Sequence, residues 1–203
     1  MKKLFFLFVI PLMVTGCNDV QRIDTVNDQG KQVMSLDYRD FDQAASQCIQ
    51  SLIESGVLAK TDGSRYVLST GVIINDTMQR IDTEQLTAKI EKDLMNSGLV
   101  VMTSAVGGTA SNRDDTVYGL RDVRDSSRGE EFNQDTLPKQ GQIIAPELSM
   151  TGKIFQRNLT YDKHKQQVEY YFELKVTNLK TGLRFWQNEV LIGKRGSNKT
   201  VAW

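Results

Sequence analysis

The sequence predicts an α/β (α+β) fold: a single domain with a mixed β-sheet, helices packed against it, and an antiparallel meander at its C-terminal end. Three observations predict it. The first half of the domain alternates helix, strand, helix, strand, the order that favours parallel pairing through crossovers. Val168, Tyr170, Phe172, Leu174 and Val176 then alternate with polar or outward residues over ten positions, the period of a half-buried strand. Asn178–Gly182 (Asn-Leu-Lys-Thr-Gly) supplies a hairpin turn to a partner strand from Arg184 to Ile192.

The chain opens with Met1-Lys2-Lys3, an apolar run from Leu4 to Val14, and Thr15-Gly16-Cys17. Two lysines, a short apolar stretch and small residues before a cut form a secretory signal. Eleven apolar residues interrupted by Pro11 are too few for a bilayer-spanning helix, which needs about 20. Val14-Thr15-Gly16-Cys17 resembles the bacterial lipobox: small side chains admit the peptidase, and the Cys17 thiol takes the diacylglyceryl group. Residues 1–16 are therefore expected to be removed and Cys17 lipidated, which anchors stably once two or more chains are attached. Asn18, in place of the aspartate that retains enteric-type lipoproteins at the inner membrane, points to the periplasmic face of the outer membrane.

Charge is balanced at 25 basic and 25 acidic residues, and removal of Lys2 and Lys3 leaves the mature chain at −2. No block of like charge runs along the sequence, so the footprint of a nucleic-acid binder is missing. With Cys17 lipidated, Cys48 has no intrachain partner, and the core must hold without a disulfide.

Asn18 to Arg39 is polar, with scattered Val26, Val33, Met34 and Leu36, and reads with Cys17 as a tether over 17–39. Its 22 residues span about 25 Å as a coil and about 75 Å stretched. The domain is expected over 40–203. Phe41, Ala44, Ala45, Cys48, Ile49, Leu52 and Ile53 make one helical stripe, with Asp40 as the cap and Gly56 as the stop. Cys48 lies within that stripe and reads as core. After a turn at Lys60–Ser64, Arg65 to Asn75 reads as a strand with apolar residues on both faces, as though covered on each side. Asp82 with Gln85 suggests a capping box, Leu86, Ile90 and Leu94 a buried face, and Gly98 a stop. Leu99–Met102 is a short strand. Ser111 to Arg128 is predicted as a third helix carrying Val117, Leu120 and Val123 inward. Gly129–Gly141 reads as a mixed loop or short helix, and Leu148, Met150 and Ile154 alternate in the strand before the meander.

Chemistry-bearing residues are sparse. His164 is the one histidine and falls at a hairpin tip, so neither a histidine-based metal cluster nor a histidine-dependent nucleophile is expected. Gly107-Gly108 lacks the Lys-Ser/Thr of a phosphate loop. Asp114-Asp115, Asp122 with Asp125, and Glu130-Glu131 are interleaved with Arg113, Arg121, Arg124 and Arg128, the pattern of a solvated, ion-paired face rather than a two-carboxylate hydrolase. The expectation is no catalytic residue, no cofactor, no metal, no nucleic acid and no small-molecule substrate. Function then falls to protein contact, with Tyr161, Tyr171, Arg184 and Trp203 as candidate contact positions.

Several stretches, in order, resemble one family: Val72-Ile73-Ile74-Asn75-Asp76-Thr77, Ile81 through Thr87, Leu94 with Gly98-Leu99, Ala145-Pro146-Glu147 with Met150 through Ile154, and Thr181-Gly182, Trp186 and Glu189 through Lys194. Together they look like LpoB-type activators of penicillin-binding proteins. The resemblance implies a fold similar to the N-terminal domain of TolB. It also implies a lipoprotein that binds a bifunctional class A penicillin-binding protein and regulates its activity. The enteric members carry a long proline-rich tether, whereas the tether here contains no proline. The alternative from the residues is an envelope-assembly lipoprotein serving a secretion or surface-appendage machine, and below that a carboxylate-dependent wall hydrolase.

Overall fold

A computed structural model describes residues 23–25, 27–107 and 112–200. Cys17, the signal segment, Ser111 and Trp203 lie outside them. The chain divides into a unit ending at Gln32 and a second beginning at Val33. In the first, the described residues form neither helix nor strand. The Asn27 side-chain amide donates to Asp24 Oδ2 at 3.0 Å, and the Gly30 N–H to Asp28 Oδ1 at 2.7 Å.

The second unit holds helix α1 (Tyr38–Glu54), strand β1 (Tyr66–Asp76), helix α2 (Thr83–Asn96), strand β2 (Val100–Met102), helix α3 (Asp115–Arg124) and strands β3 (Leu148–Thr160), β4 (Lys165–Asn178) and β5 (Arg184–Ser197). The sheet order is β2-β1-β3-β4-β5. β1 runs parallel to both β2 and β3, and β3, β4 and β5 run antiparallel, so the expected mixed sheet and C-terminal meander are both present.

The apolar stripe of α1 is buried at Ala44, Ala45, Cys48, Ile49 and Leu52, and α2 buries Leu86, Ile90 and Leu94. The two helices pack against each other, α1 on β5 and α2 on β1 and β2. They meet inward residues that are adjacent through the strand register, such as Ile154–Phe172–Val190 and Met150–Val176–Trp186. Phe41 sits at the margin, edge-on to Phe172 with ring centroids 5.9 Å apart. Gly56 and Gly98 follow α1 and α2 with φ of 71° and 74°, a left-handed conformation that glycine enters without a Cβ penalty and that ends each helix where the sequence indicates.

Four expectations are corrected. First, α1 begins at Tyr38, not Asp40. Asp37 is its cap and accepts from Arg39 N–H at 2.9 Å, while the Asp40 carboxylate reaches back to Asp37 N–H at 2.7 Å. The capping box therefore belongs to α1, and Asp82 caps α2 through the Glu84 N–H. Second, the folded unit takes in Val33–Arg39, which the sequence assigns to the tether. Met34 is buried, because Gly196 leaves room for its thioether, and its carbonyl accepts from Tyr170 OH at 3.0 Å.

Third, β1 is covered on both faces only in its first half, where Leu68, Ser69 and Thr70 are buried in succession. Val72 and Ile74 are 47% and 54% exposed, because both packed helices lie on the opposite face. A register shift between Thr70 and Ile73 breaks the strict alternation, which is why the strand reads as apolar on both sides. Fourth, the third helix covers only Asp115–Arg124, is capped by Asp114, gives way to a 3-10 turn at Ser127–Glu131, and buries none of its residues; Leu120 is 41% exposed. Its charges leave too narrow an apolar stripe to dock. It is tied down by polar contacts instead: the Tyr118 hydroxyl donates to the Ala105 carbonyl, and the Asp114 N–H to the Ser104 carbonyl at 3.0 Å.

Candidate functional site

The residues able to carry chemistry are dispersed. His164 is exposed in the β3–β4 turn, where its N–H donates to Asp162 Oδ1 at 2.7 Å. Among the described residues no three His, Cys, Asp or Glu side chains converge as a metal site. Burial pushes the Cys48 thiol up to about 11, which leaves it protonated and unreactive at neutral pH. The space around it, between the helices and the sheet, is a cavity of about 10 Å³, room for no more than one water.

Three of the carboxylates around α3, Asp114, Asp115 and Asp125, are ion-paired or engaged as a cap. Asp115 meets Arg113 at 2.8 Å and Asp125 meets Arg124 at 2.7 Å. The hydrogen bond from Thr116 holds Asp114 below the usual carboxylate range, and that from Arg124 does the same for Asp125. A general acid needs the opposite shift.

What the fold builds instead is an open sheet face. Alternation along β3, β4 and β5 sends one set of side chains to the helices and the other outward. The outward rows are Lys153–Glu173–Glu189, Phe155–Tyr171–Leu191 and Arg157–Glu169–Gly193. Phe155 and Tyr171 stack with centroids 4.7 Å apart and planes 2° from parallel. Leu191 beside them is 51% exposed, and Ile74, which pairs with Lys153, is 54% exposed.

Polar groups frame this apolar centre. Lys153 Nζ meets Asp76 Oδ2 at 2.5 Å and lies 5.6 Å from the Phe155 ring centre, while Lys175 pairs with Glu173. Tyr171 OH donates to Glu169 Oε2 at 2.7 Å, which lowers the Glu169 carboxyl and raises the Tyr171 phenol. A preset aromatic pair within a polar rim is the anatomy of a protein-contact surface.

Of the positions named from sequence, Tyr171 is in this face. Tyr161 is 52% exposed at the far end of the meander under the Arg195 guanidinium, and Arg184 bonds Gln187 Oε1 at 2.8 Å at the other end. Phe155, Ile74 and Leu191 went unnamed. The signal for Phe155 and Leu191 was a large apolar residue at the outward phase of an otherwise polar alternation, whereas Ile74 lies in a strand that reads as apolar on both faces.

A second polar cluster fixes the root of the N-terminal segment. Lys194 points inward from β5 and is 7% exposed. Its Nζ lies 2.5 Å from Asp40 Oδ2 and donates to the Ser35 carbonyl at 2.7 Å. Burial alone raises the Asp37 carboxyl nearby, but Arg39 and Lys194 outweigh it and hold it below its ordinary value. Gln79 completes the cluster, accepting from Leu36 N–H at 3.1 Å and donating to Tyr170 OH at 2.7 Å.

Residues 1–18 match the prokaryotic membrane lipoprotein lipid attachment site, so the protein is a lipoprotein whose mixed α/β domain carries an uncovered sheet face. Residues 40–192 match the peptidoglycan-synthase activator LpoB. The chain belongs to the LpoB family, whose members are regulators of peptidoglycan synthesis. Among solved structures it is similar to the LpoB C-terminal domains of Salmonella enterica (TM-score 0.42, 13% identity) and Escherichia coli (0.43, 12%), covering 75% of this chain and 98% of each of those. The lipoprotein GNA1162 of Neisseria meningitidis matches over 67% of this chain and 86% of its own (0.34, 8%). No curated protein matches in the sequence comparison.

Proposed function

We propose that the protein activates a bifunctional class A penicillin-binding protein by direct contact, from a lipid anchor on the periplasmic face of the outer membrane. Residues 1–16 are removed, Cys17 takes the lipid, and 18–32 tether a domain that folds from Val33. The family match over residues 40–192 carries the reading. The open face around Phe155 and Tyr171 supports a contact role. The protein performs no bond chemistry on this reading. It binds the active conformation of the synthase more tightly than the resting one, and a differential of about 1–3 kcal/mol changes the rate some 5–150-fold.

The test adds the mature protein, with Cys17→Ser in place of the lipidated residue, to a purified class A synthase and follows glycan polymerisation. Stimulation that falls at least about tenfold with Tyr171→Ala and Leu191→Asp together is expected. Unchanged synthesis, with no binding to the synthase, would overturn the proposal.

A further inference from the structure

The three long strands run past the helices. β3 pairs with β1 only as far as Phe155, then continues to Thr160, so the meander projects about five residues, or roughly 17 Å, beyond that pairing. Every residue from Arg157 to Lys165 is exposed. This end gathers Arg157, Lys163, Lys165, Arg195 and Lys199, all exposed, with His164 among them, against two carboxylates. Both carboxylates are occupied. Asp162 accepts the backbone N–H groups of His164 and Lys165, and Glu169 accepts from Tyr171 and Gln167 and offsets Arg157, its cross-strand neighbour. Three acids elsewhere on the same unit are matched too: Asp37 by Arg39, Asp40 by Lys194 and Asp76 by Lys153. A mature chain of net −2 thus presents a basic end.

Apolar and aromatic side chains are interleaved with those charges. Tyr161 is 52% exposed beneath Arg195 at 3.7 Å, Leu159 is 39% exposed, and Met78, whose sulfur accepts from Asn158 at 3.5 Å, is 70% exposed. Arg195 is also held by Gln167 Oε1 at 2.6 Å, so the charge is presented from an ordered strand. The same end holds the root of the tether. Met34 packs at Gly196, which pairs with Gln166, one residue from the turn, and Lys194 ties Ser35 down two residues away. The domain is joined to its anchor at its basic end.

We infer that this end, built from Arg157, Lys163, Lys165, Arg195 and Lys199 around Tyr161, docks on the anionic phospholipid surface of the membrane that carries the lipid anchor. The inference rests on Cys17 as that anchor. A tether of 15 residues keeps the domain within about 20 Å of the surface as a coil, so the charges sit within a few Debye lengths of the headgroups. Each basic residue at an anionic surface strengthens adsorption about fivefold, and tyrosine favours the headgroup layer. A lipid plus a basic patch is a two-signal attachment, and here the patch also orients the domain.

The test uses the mature chain with Cys17→Ser, so that no lipid contributes. Co-sedimentation is measured with vesicles of phosphatidylglycerol and phosphatidylethanolamine, and with vesicles of phosphatidylcholine alone. Sedimentation with the anionic vesicles only, weakening as salt rises, is expected. R157Q, K163Q, K165Q and R195Q combined should lower it at least about tenfold, and K139Q with K180Q, away from this end, should leave it unchanged. Thermal melts verify that the variant is folded; if the quadruple variant is not, K163Q with K165Q in the exposed turn takes its place. Absence of binding to anionic vesicles, equal binding to phosphatidylcholine, or binding that survives the tip substitutions would overturn the inference. So would binding to purified wall glycan in place of vesicles. Synthase stimulation is read without membranes, so the two proposals fail separately.

Discussion

Lys194 is the residue on which the N-terminal part of the domain depends. It is an inward-pointing charge on an edge strand, neutralised at 2.5 Å by Asp40 of α1 and hydrogen-bonded at 2.7 Å to the Ser35 carbonyl. Removing one member of a buried pair strands the other, so Lys194→Met should cost about 3–5 kcal/mol in urea unfolding. Adding Asp40→Leu to that variant should recover most of the loss, and additive losses would show that the two do not act as a pair. Cys48 gives a pH-dependent signature. Its thiol is raised from 9.0 to about 11 by burial, so above pH 9 the unfolded chain loses a proton that the folded one keeps. The unfolded state then binds fewer protons, and stability falls as pH rises from about 9 to about 11, by up to roughly 2 kcal/mol. In the Cys17→Ser protein, Cys48→Ala should flatten that alkaline slope in melts followed across this range. Cys48 was legible as core from its place in a continuous stripe. Lys194 was not, because an alternating strand gives no sign that a lysine turns inward until its acidic partners, more than 150 residues earlier, are in place.

Helices α1 and α3 show what periodicity can and cannot reveal. Both carry apolar residues at helical spacing, yet α1 buries five of them and α3 none. The difference lies in the partner surface. α1 has the inward rows of β4 and β5 to fill, whereas α3 hangs from Tyr118 with Arg113 and Arg121 beside its ring. Leu94→Ala in α2 should therefore cost about 2–5 kcal/mol, while Leu120→Ser in α3 should change stability by less than about 0.5 kcal/mol. Equal losses in chemical denaturation would mean that α3 docks after all. Strand positions, the parallel pairing of β1 with β2, and the C-terminal hairpin were legible because their periods and turn residues are local. The uncovered face was not, since the irregularity after Thr70 makes β1 look apolar on both sides. The Phe155–Tyr171 stack exists only through cross-strand register, so of the candidate surface the sequence exposed Tyr171 alone.

At the scale of the whole molecule, the question is where the anchor segment ends and the domain begins. The lipoprotein character was legible because lysines, apolar run and lipobox lie side by side, but the boundary was not, because Val33–Arg39 has no period. Those residues are held by backbone and single side-chain contacts spread over the fold: Tyr170 OH to the Met34 carbonyl, Lys194 to the Ser35 carbonyl, Gln79 to the Leu36 N–H, and Asp37 at the head of α1. A chain beginning at Val33 should melt at the same temperature as the mature protein, since it keeps them all. A chain beginning at Asp40, where the family match starts, loses the cap, worth about 1 kcal/mol, and the buried Met34, worth about 2 kcal/mol or more. It also leaves Lys194 and Tyr170 short of buried acceptors, at about 1–3 kcal/mol each. The sum is comparable to the 5–15 kcal/mol by which a domain of this size is stable, so the shorter chain should show little or no cooperative unfolding in calorimetry, and a melt like that of the longer chain would place the boundary at Asp40. The outcome bears on function, because any pull from the anchor enters at Met34 and Ser35 and is borne by Lys194 and Tyr170, on the strands that carry both the basic end and the open face. A domain clasped there keeps the basic end and the open face in one fixed relation to the point at Val33 where the N-terminal segment leaves it, whereas a segment running freely to Asp40 would not.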